Sequence, residues 1–396
     1  MGAVAAAPSV GVACTVVCDA ARLEALRPAW KGLLSASASD EPMLSPEWLL
    51  TWLRTFGRRP CVGLFHDGER LVGLAPLVRR HCWLRPGLPF RRLEWLGSGE
   101  PEADGICSEY LNVTAERGAE PIVAAAFVEA LRAGVWGSWD EIVLPRMDGE
   151  AAMTGLLLDA FRRAGLDAEI TTTAAAPYIL LPPTWDAYLK QMSSNDRRLV
   201  VHSLRDFEAW AGGESQLHRA ASPTELAEGL RILKALHAMR WRKNGQTGAF
   251  YSRRFSAFHD AATAELLREG SLELLWLTVR GEAVAAVYNI IWNNKVYFYQ
   301  SGRKTDFPPK VRPGVVLLAH AIRGAIDAGR REFDFLAGDL QYKRQMSLTS
   351  RPLVQIRVAR PCLREHLRRA AENVIDHARP LRNGLRGLLH RFLGRR

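Results

Sequence analysis

Residues 272–343 constrain the fold of this 396-residue chain more than any other stretch. Three apolar segments rich in strand-forming residues, at 272–279, 283–292 and 295–300, are separated only by short turn signals. Consecutive strands joined by turns of this length pair with one another. The stretch therefore predicts an antiparallel three-stranded meander.

A helix and a further strand follow the meander. Pro313-Gly314 begins a segment whose apolar residues recur at helical spacing, and residues 332–336 alternate charged and apolar side chains as a short strand does. A helix that starts beside a sheet presents backbone amides and the positive end of its dipole, which suits the binding of a pyrophosphate. A simple turn before a helix explains Pro313-Gly314 equally well.

The positive charge of the chain is concentrated at one end. Of the formal net charge of +11, residues 351–396 carry +9, which leaves a nearly neutral body. Such a body argues against a groove for nucleic acid. Apolar residues at helical spacing among the terminal arginines predict a basic amphipathic helix. We expect this helix either to pack on the domain with a solvated basic face or to contact an anionic membrane surface or an acidic partner.

The six cysteines form no CxxC pair, and no His or Cys cluster has metal-ligand spacing. We therefore expect buried thiols in a reducing compartment and no metal site. Residues 1–13 lack a basic start and a sustained apolar core, and no segment of about 18 apolar residues occurs. The sequence predicts a cytoplasmic protein. If the basic tail contacts the membrane, the protein would lie at its inner face.

The first half of the chain repeats the element order of the second half with little residue identity. The polar segment 185–210 between the halves predicts one long helix or a helix pair. The fold class predicted is a mixed α/β chain of two similar units. Its predicted parts are a flexible N-terminus at 1–13, an N-terminal domain at 14–184, a helical linker at 185–212, a C-terminal domain at 213–360 and a basic helical tail at 361–396.

This element order resembles the GNAT acyltransferase fold, and a tandem pair of such units resembles the Fem-type peptidyl transferases. Residues 236–241, Pro313-Gly314 and 333–338, followed by Tyr342-Lys343, look like the CelD-type GNAT proteins associated with cellulose and exopolysaccharide biosynthesis. The resemblance implies transfer of an acyl group from an acyl-CoA, most simply acetyl-CoA, to an amine or hydroxyl. The acceptor implied is a small molecule or saccharide related to the cell envelope or exopolysaccharide.

Transfer from a thioester needs no enzyme nucleophile, only alignment, a proton acceptor and donors to the oxyanion. Asp334 alternates with Phe333 and Phe335, so we expect its carboxylate to face a cleft and to orient an amine or act as a base. A strand-end carboxylate paired with arginine is the equally weighted alternative. The remaining catalytic candidates are Asp339, Tyr342, Lys343, Tyr297 and Tyr299.

The roles of these candidates follow from their chemistry and from the resemblance. Lys343 would neutralise a phosphate or the developing oxyanion, as the resemblance to Fem-type proteins implies, although a lone lysine is more often a surface residue. Tyr297 or Tyr299 would donate a proton to the leaving thiolate, although core packing is the commoner role of such tyrosines.

The candidate coenzyme A residues are Lys310, Arg312, Gly314 and Val315. This loop has fewer glycines than the usual GNAT phosphate loop, and Pro313 removes one amide donor. Lys310 and Arg312 would then supply the missing positive charge. His237, Arg240 and Trp241 end a predicted helix and are candidate substrate-binding residues, with an ordinary basic helix end as the alternative.

Two other functions fit the same fold. One is an aminoacyl-tRNA-dependent ligase of the Fem type, which the nearly neutral body disfavours. The other is a non-catalytic adaptor of a polysaccharide-synthesis system, which fold alone does not exclude.

Overall fold

The computed structural model describes residues 11–84, 87–243, 245–338, 340–360 and 365–368. The strands are β1 (Val12–Val17), β2 (Val62–Asp67), β3 (Arg70–Ala75), β4 (Leu77–Leu84), β5 (Leu88–Trp95), β6 (Thr114–Ala115), β7 (Glu141–Asp148), β8 (Asp167–Leu180), β9 (Ser215–Arg219), β10 (Leu272–Val279), β11 (Glu282–Trp292), β12 (Lys295–Arg303), β13 (Glu332–Asp334) and β14 (Thr349–Ala359). The helices are α1 (Ala20–Ala25), α2 (Arg27–Ala36), α3 (Pro46–Phe56), α4 (Glu120–Arg132), α5 (Ala152–Arg163), α6 (Trp185–Gln191), α7 (Ser194–Ala211), α8 (Pro223–Lys243), α9 (Arg253–Arg268), α10 (Pro313–Asp327) and α11 (Gln341–Met346).

The strands form two sheets. One contains β1, β2, β3 and β6, and the other has ten strands in the order β4-β5-β7-β14-β8-β13-β12-β11-β10-β9. The predicted meander is confirmed as β10, β11 and β12, which pair antiparallel, and α10 and β13 follow it as predicted. β12 pairs with β13 in parallel over only three residues, ending at Tyr297 and Asp334. Beyond these residues the two strands separate.

The two halves of the chain share the large sheet because β8 and β14 each pair with strands of the other half. β14 lies between β7 and β8 of the first half. The last residues of β8, 178–180, pair with β13 of the second half. The sequence predicts separate strands at 168–173 and 178–181, which is wrong: one long strand spans both because β14 pairs with it from Asp167 to Tyr178 and β13 pairs with its last three residues.

The segment between the halves is a helix pair rather than one helix. α6 ends at Gln191, and Ser193 caps α7 by accepting a hydrogen bond from the Asp196 amide at 3.2 Å. Val200 and Phe207 of α7 are buried in a core that also contains Ile322 of α10. The linker is therefore packed against the second half.

A second core joins the halves. Trp48 of α3 packs edge-on against Phe258 of α9 at 4.8 Å and against Tyr299 of β12 at 5.4 Å between ring centroids. Its indole Nε1 donates a hydrogen bond to Ser108 at 2.9 Å. Aromatic contacts of this kind stabilise beyond the area they bury, so the two halves are held by a continuous core as well as by the shared sheet.

Both predicted termini lie largely outside the described residues. Of the predicted tail at 361–396 the structure describes 365–368, where the Glu365 carboxylate accepts a hydrogen bond from Arg357 of β14 at 2.8 Å. In the described ranges, none of the helices has the length and apolar character to cross a membrane.

Replacement of Ile356 by Ala in β14 tests the shared sheet. Ile356 is fully buried between β7 and β8, so its truncation should lower the free energy of unfolding by about 2–5 kcal/mol. Gln355→Ala, at the neighbouring half-buried position, should change it by less than about 0.5 kcal/mol. Urea unfolding followed by circular dichroism measures both. Equal effects of the two substitutions would contradict the arrangement.

Candidate functional site

A cavity of about 570 Å³ lies against β11 and β12, and its β12 residues begin directly after Tyr297, where the pairing with β13 ends. Its apolar wall includes Val287 of β11 and Phe298 of β12. The first turn of α10 forms a second wall and α11 a third, with Tyr342 facing inward from α11. The cavity thus lies beside the end of a parallel strand pair and at the N-terminus of a 15-residue helix.

Three arginines line this cavity, namely Arg240 from α8, Arg303 from the end of β12 and Arg312 before α10. Arg240 donates a hydrogen bond to the Ser301 hydroxyl at 3.3 Å. Burial and the neighbouring Arg240 lower the pKa of Arg303. Within the part of the chain that the structure describes, none of the three forms an ion pair with a carboxylate. The three guanidiniums give the cavity a positive charge, which favours an anionic ligand.

The start of α10 adds to this charge. Pro313 occupies the first turn, where its missing N–H costs no helical hydrogen bond. A side chain at Gly314 would place its Cβ 3.0 Å from Cδ of Arg303, so the close approach of Arg303 to the helix favours glycine there. The positive end of the helix dipole and the Arg303 and Arg312 guanidiniums all lie at this wall.

Tyr342 carries the hydroxyl that is best placed to transfer a proton in this cavity. Ser301 and Arg240 lie beside its hydroxyl, and the Arg240 guanidinium lies 5.8 Å from its ring centroid. Burial raises the pKa of Tyr342, and Arg240 opposes that rise. The hydroxyl is therefore protonated near neutral pH and can donate to a developing anion.

Asp334 does not face a cleft. Its side chain is fully buried, and its carboxylate accepts hydrogen bonds from the Tyr110 hydroxyl and the Leu336 amide, both at 2.7 Å. Arg351 lies 4.0 Å away. Burial raises the pKa of Asp334 to about 7. The expectation of an open carboxylate is wrong because Tyr110, contributed by the first half, covers it.

Lys343 is also buried. Its Nζ donates hydrogen bonds to the carbonyl oxygens of Ala337 at 2.6 Å and Leu336 at 3.3 Å. The Glu109 carboxylate accepts a hydrogen bond from the Ala337 amide at 2.7 Å, so the 336–338 loop is fastened from both sides. Burial lowers the pKa of Lys343 to about 8, while Glu109 opposes the change. Asp339, the neighbouring candidate, lies outside the described residues.

The tyrosines of β12 bind the first half of the chain. The Tyr297 hydroxyl donates a hydrogen bond to the Glu41 carboxylate. The Tyr299 hydroxyl donates to the Ile106 carbonyl and lies 3.1 Å from Nε2 of His259. Neither lines the cavity, whereas Phe298 between them does. The alternation of side chains along a strand explains this division.

The other candidates separate into two groups. Arg312, Gly314, Val315 and Arg240 line the cavity. Lys310 is exposed and is not part of the lining. His237 is buried behind the cavity, where its Nε2 accepts a hydrogen bond from Nε1 of Trp241 at 2.9 Å. Burial lowers the pKa of His237 to about 4, so its ring is neutral.

Sequence reasoning missed two sets of residues. Arg303 and Ser301 line the cavity from the end of the third strand of the meander. A basic residue at the end of that strand, shortly before Pro313-Gly314 in the sequence, could have indicated Arg303 as part of an anion site. Glu109 and Tyr110 are more than 200 residues from 334–343 in sequence, and Arg351 lies on the next strand, so no local pattern connects the three with Asp334 and the 336–338 loop. Among the described residues, no three or more His, Cys, Asp or Glu side chains are grouped to hold a metal ion.

Comparison with known proteins supports this description of the fold. The model of the acetyltransferase (GNAT) domain family matches residues 194–344. The crystal structure of FemX is similar with a TM-score of 0.60 at 10% identity, covering 87% of this chain and 98% of that one. The structure of L-PGS from Bacillus licheniformis has a TM-score of 0.51 at 12% identity and covers 91% and 98%. None of the curated proteins matches the sequence.

These similarities confirm the predicted mixed α/β fold with tandem GNAT-like units. Residues 194–344, which match the family, include the three arginines, the start of α10 and Tyr342. The cavity thus belongs to the GNAT-like unit of the second half. The narrower resemblance to CelD-type proteins stays a prediction.

Replacement of Asp334 by Asn tests the buried carboxyl group. Because burial raises the folded-state pKa from 3.8 to about 7, the folded protein holds this proton more tightly than the unfolded chain. The resulting stabilisation is complete below the unfolded pKa and is lost as pH rises through about 7. The unfolding free energy of the wild type, relative to Asp334→Asn, should therefore fall between about pH 4 and 7.

Urea unfolding at a series of pH values measures this difference. Asp206→Asn is the control, because the hydrogen bond from Arg205 lowers the pKa of Asp206 and gives a trend of opposite sign. A difference between wild type and Asp334→Asn that is independent of pH would show that folding does not shift the pKa of Asp334.

Proposed function

We propose that the second half of the chain is an acyl-CoA-dependent acyltransferase, with acetyl-CoA as its simplest donor. The observation that supports this proposal is the cavity beside β12 that is lined by three arginines, none of which forms an ion pair with a carboxylate among the described residues. The phosphates of the donor would lie against Arg303, Arg312 and the start of α10. The pantetheine arm would lie along the apolar wall at Phe298 and reach Tyr342.

The acceptor in this proposal is an amine or a hydroxyl of a cell-envelope or exopolysaccharide-related molecule. Its lone pair attacks the thioester carbonyl carbon, and collapse of the tetrahedral intermediate breaks the carbon–sulfur bond. Tyr342 donates its proton to the departing thiolate and regains one from solvent, while the proton of the acceptor leaves to solvent. The Arg240 guanidinium, which contacts Tyr342, would stabilise the phenolate formed between these steps.

Asp334 and Lys343 act in this proposal as positioning residues. Both are buried, and both bind the 336–338 loop, Asp334 through the Leu336 amide and Lys343 through two carbonyl oxygens. The loop leads directly into α11, which carries Tyr342. Their role is therefore to fix the place of Tyr342 relative to the donor. The basic tail is proposed to contact an anionic membrane surface or an acidic partner.

A second candidate is transfer from an aminoacyl-tRNA, supported by the similarity of the fold to FemX over most of both chains. The phosphates at the end of a tRNA would suit the same arginines. A folded adaptor without catalytic activity is the third. Ligand binding separates the three, because only the first requires coenzyme A in the cavity.

Thermal unfolding with acetyl-CoA, coenzyme A and aminoacyl-tRNA tests the donor. A ligand at 100 times its Kd stabilises the folded protein by about 2.7 kcal/mol, so acetyl-CoA and coenzyme A should raise the Tm. Arg303→Ala and Arg312→Ala should each weaken coenzyme A binding about tenfold or more, through loss of a charge-assisted phosphate contact. Arg323→Ala is the matched control, because Arg323 lies on α10 and is exposed as Arg303 and Arg312 are, but is not part of the cavity lining.

Binding of aminoacyl-tRNA with no response to any coenzyme A species would replace the first candidate by the second. Binding of neither would favour the adaptor. Equal loss of coenzyme A affinity in the Arg323 variant would show that the arginines act through overall charge rather than in the cavity.

Tyr342→Phe tests the proton donor. Loss of a general acid lowers turnover by roughly a hundredfold or more, whereas the Kd for coenzyme A should stay nearly constant because the ring remains. Release of the coenzyme A thiol, measured with a panel of amine and hydroxyl acceptors, reports turnover. Tyr251→Phe, at a tyrosine that is 78% exposed, is the control. Wild-type turnover in the Tyr342 variant would exclude the proposed role.

A further inference from the structure

Two cysteines face each other at the end of the small sheet. The antiparallel register of β1 and β2 runs from Val12 opposite Asp67 to Val17 opposite Val62. Cys18 and Cys61 directly follow and precede the last pair of this ladder, so the register continued by one position would place them opposite each other. Opposite residues of antiparallel strands have Cα atoms about 4.5–5.5 Å apart, which lies within the range that a disulfide spans. The two thiols are close enough to shift each other's pKa.

The two thiols differ in their surroundings. Cys18 is exposed, which corrects the expectation that the cysteines are buried thiols, and Cys61 is buried. The backbone of Cys61 is fixed, because its amide donates to the Leu77 carbonyl at 2.7 Å and its carbonyl accepts from Nε1 of Trp136 at 3.0 Å. An accessible thiol therefore lies against a thiol that is held in place.

The charges around the pair favour a thiolate at the exposed position. The hydrogen bond from Cys61, together with the nearby Arg59 and Arg79, lowers the pKa of Cys18 to about 6. The hydrogen bond to Cys18 and burial raise the pKa of Cys61. Thiolate rather than thiol is the nucleophile in disulfide exchange, so Cys18 is the attacking group.

We propose that Cys18 and Cys61 are a reactive dithiol site that a small disulfide converts to an intramolecular disulfide. The Cys18 thiolate attacks one sulfur of the small disulfide, forms a mixed disulfide and releases one thiolate. The negative charge on Cys18 is then gone, so Cys61 loses its proton more readily and attacks Sγ of Cys18. The second thiolate leaves. Two protein thiols are oxidised, and one small disulfide is reduced to two thiols.

The neighbouring cysteines lack this arrangement. Cys14 lies on β1 opposite Phe65, and burial raises its pKa to about 12. Cys82 lies on β4 opposite Phe90. A disulfide between Cys18 and Cys61 would join β1 to β2 directly before α1, where the paired strands end. It would thus fix the first strand of the sheet covalently.

Mass spectrometry of the full chain treated with oxidised glutathione tests the site. The expected product is about 2 Da lighter than the reduced protein, and digestion should give one cross-linked peptide pair containing Cys18 and Cys61. Cys61→Ser should instead stop at the mixed disulfide, about 305 Da heavier on Cys18. Cys82→Ser is the matched control and should form the cross-link as the wild type does.

Alkylation of the folded protein provides a second measurement that needs no disulfide. The rate of alkylation of Cys18 by iodoacetamide should be half-maximal near pH 6. Cys61→Ala should move this midpoint upward, toward the ordinary thiol pKa of 9.0, because the Cys61 thiol no longer stabilises the thiolate. Recovery of Cys18 and Cys61 as free thiols after oxidation, or a cross-link of Cys18 to another cysteine, would overturn the proposal. So would a Cys18 midpoint that Cys61→Ala leaves unchanged.

Discussion

The arrangement of the two halves depends on a buried cation, the guanidinium of Arg351 on β14. It lies 2.7 Å from the Glu332 carboxylate and 4.0 Å from that of Asp334, both on β13, and stacks 4.0 Å from the ring centroid of Tyr178 on β8. Buried carboxylates are tolerated only when paired. β14, the strand of the second half that pairs with β7 and β8 of the first, therefore carries the positive charge that allows the carboxylates of β13 to be buried in the middle of the sheet.

The same ionic contacts continue into the first half. Lys295 on β12 lies 3.6 Å from Glu332 and 3.1 Å from Glu41, and Glu41 accepts a hydrogen bond from Tyr297. Removal of one partner from a buried ion pair costs about 3–5 kcal/mol, because the other charge is left uncompensated. Residues before α3 are thereby tied to the strands that border the cavity, and the geometry of the candidate site is a property of both halves.

Local pattern accounts for the elements of the second half but not for their environment. The turns between apolar segments predict β10, β11 and β12, and the predicted helix start at Pro313-Gly314 is the start of α10, beside the cavity. Asp334 shows the limit. Its alternation with Phe333 and Phe335 correctly puts the carboxylate on the opposite face of the strand, yet that face is covered by Tyr110, 224 residues earlier in the chain. Such pairing depends on tertiary packing, which the period of one strand does not encode.

The two GNAT-like units differ at the N-terminus of one helix, which is α4 in the first unit and α10 in the second. β5 and β7 of the first half pair in parallel as β12 and β13 do, and α4 lies between them in sequence as α10 does in the second half. α4, however, starts with Glu120, whose carboxylate accepts a hydrogen bond from the Gly118 amide at 2.7 Å.

A carboxylate at this position accepts a hydrogen bond from a backbone amide and balances the positive end of the helix dipole. The chain itself thus supplies the negative charge at this helix end. A phosphate placed there would meet a like charge, whereas at α10 it would meet Arg303 and Arg312. The first unit therefore has the strand order found at the proposed donor site, but a carboxylate at the start of its helix in place of the arginines. Its contribution to the second unit is the set of contacts through Glu41, Glu109 and Tyr110, which fix the strands and the loop beside the cavity.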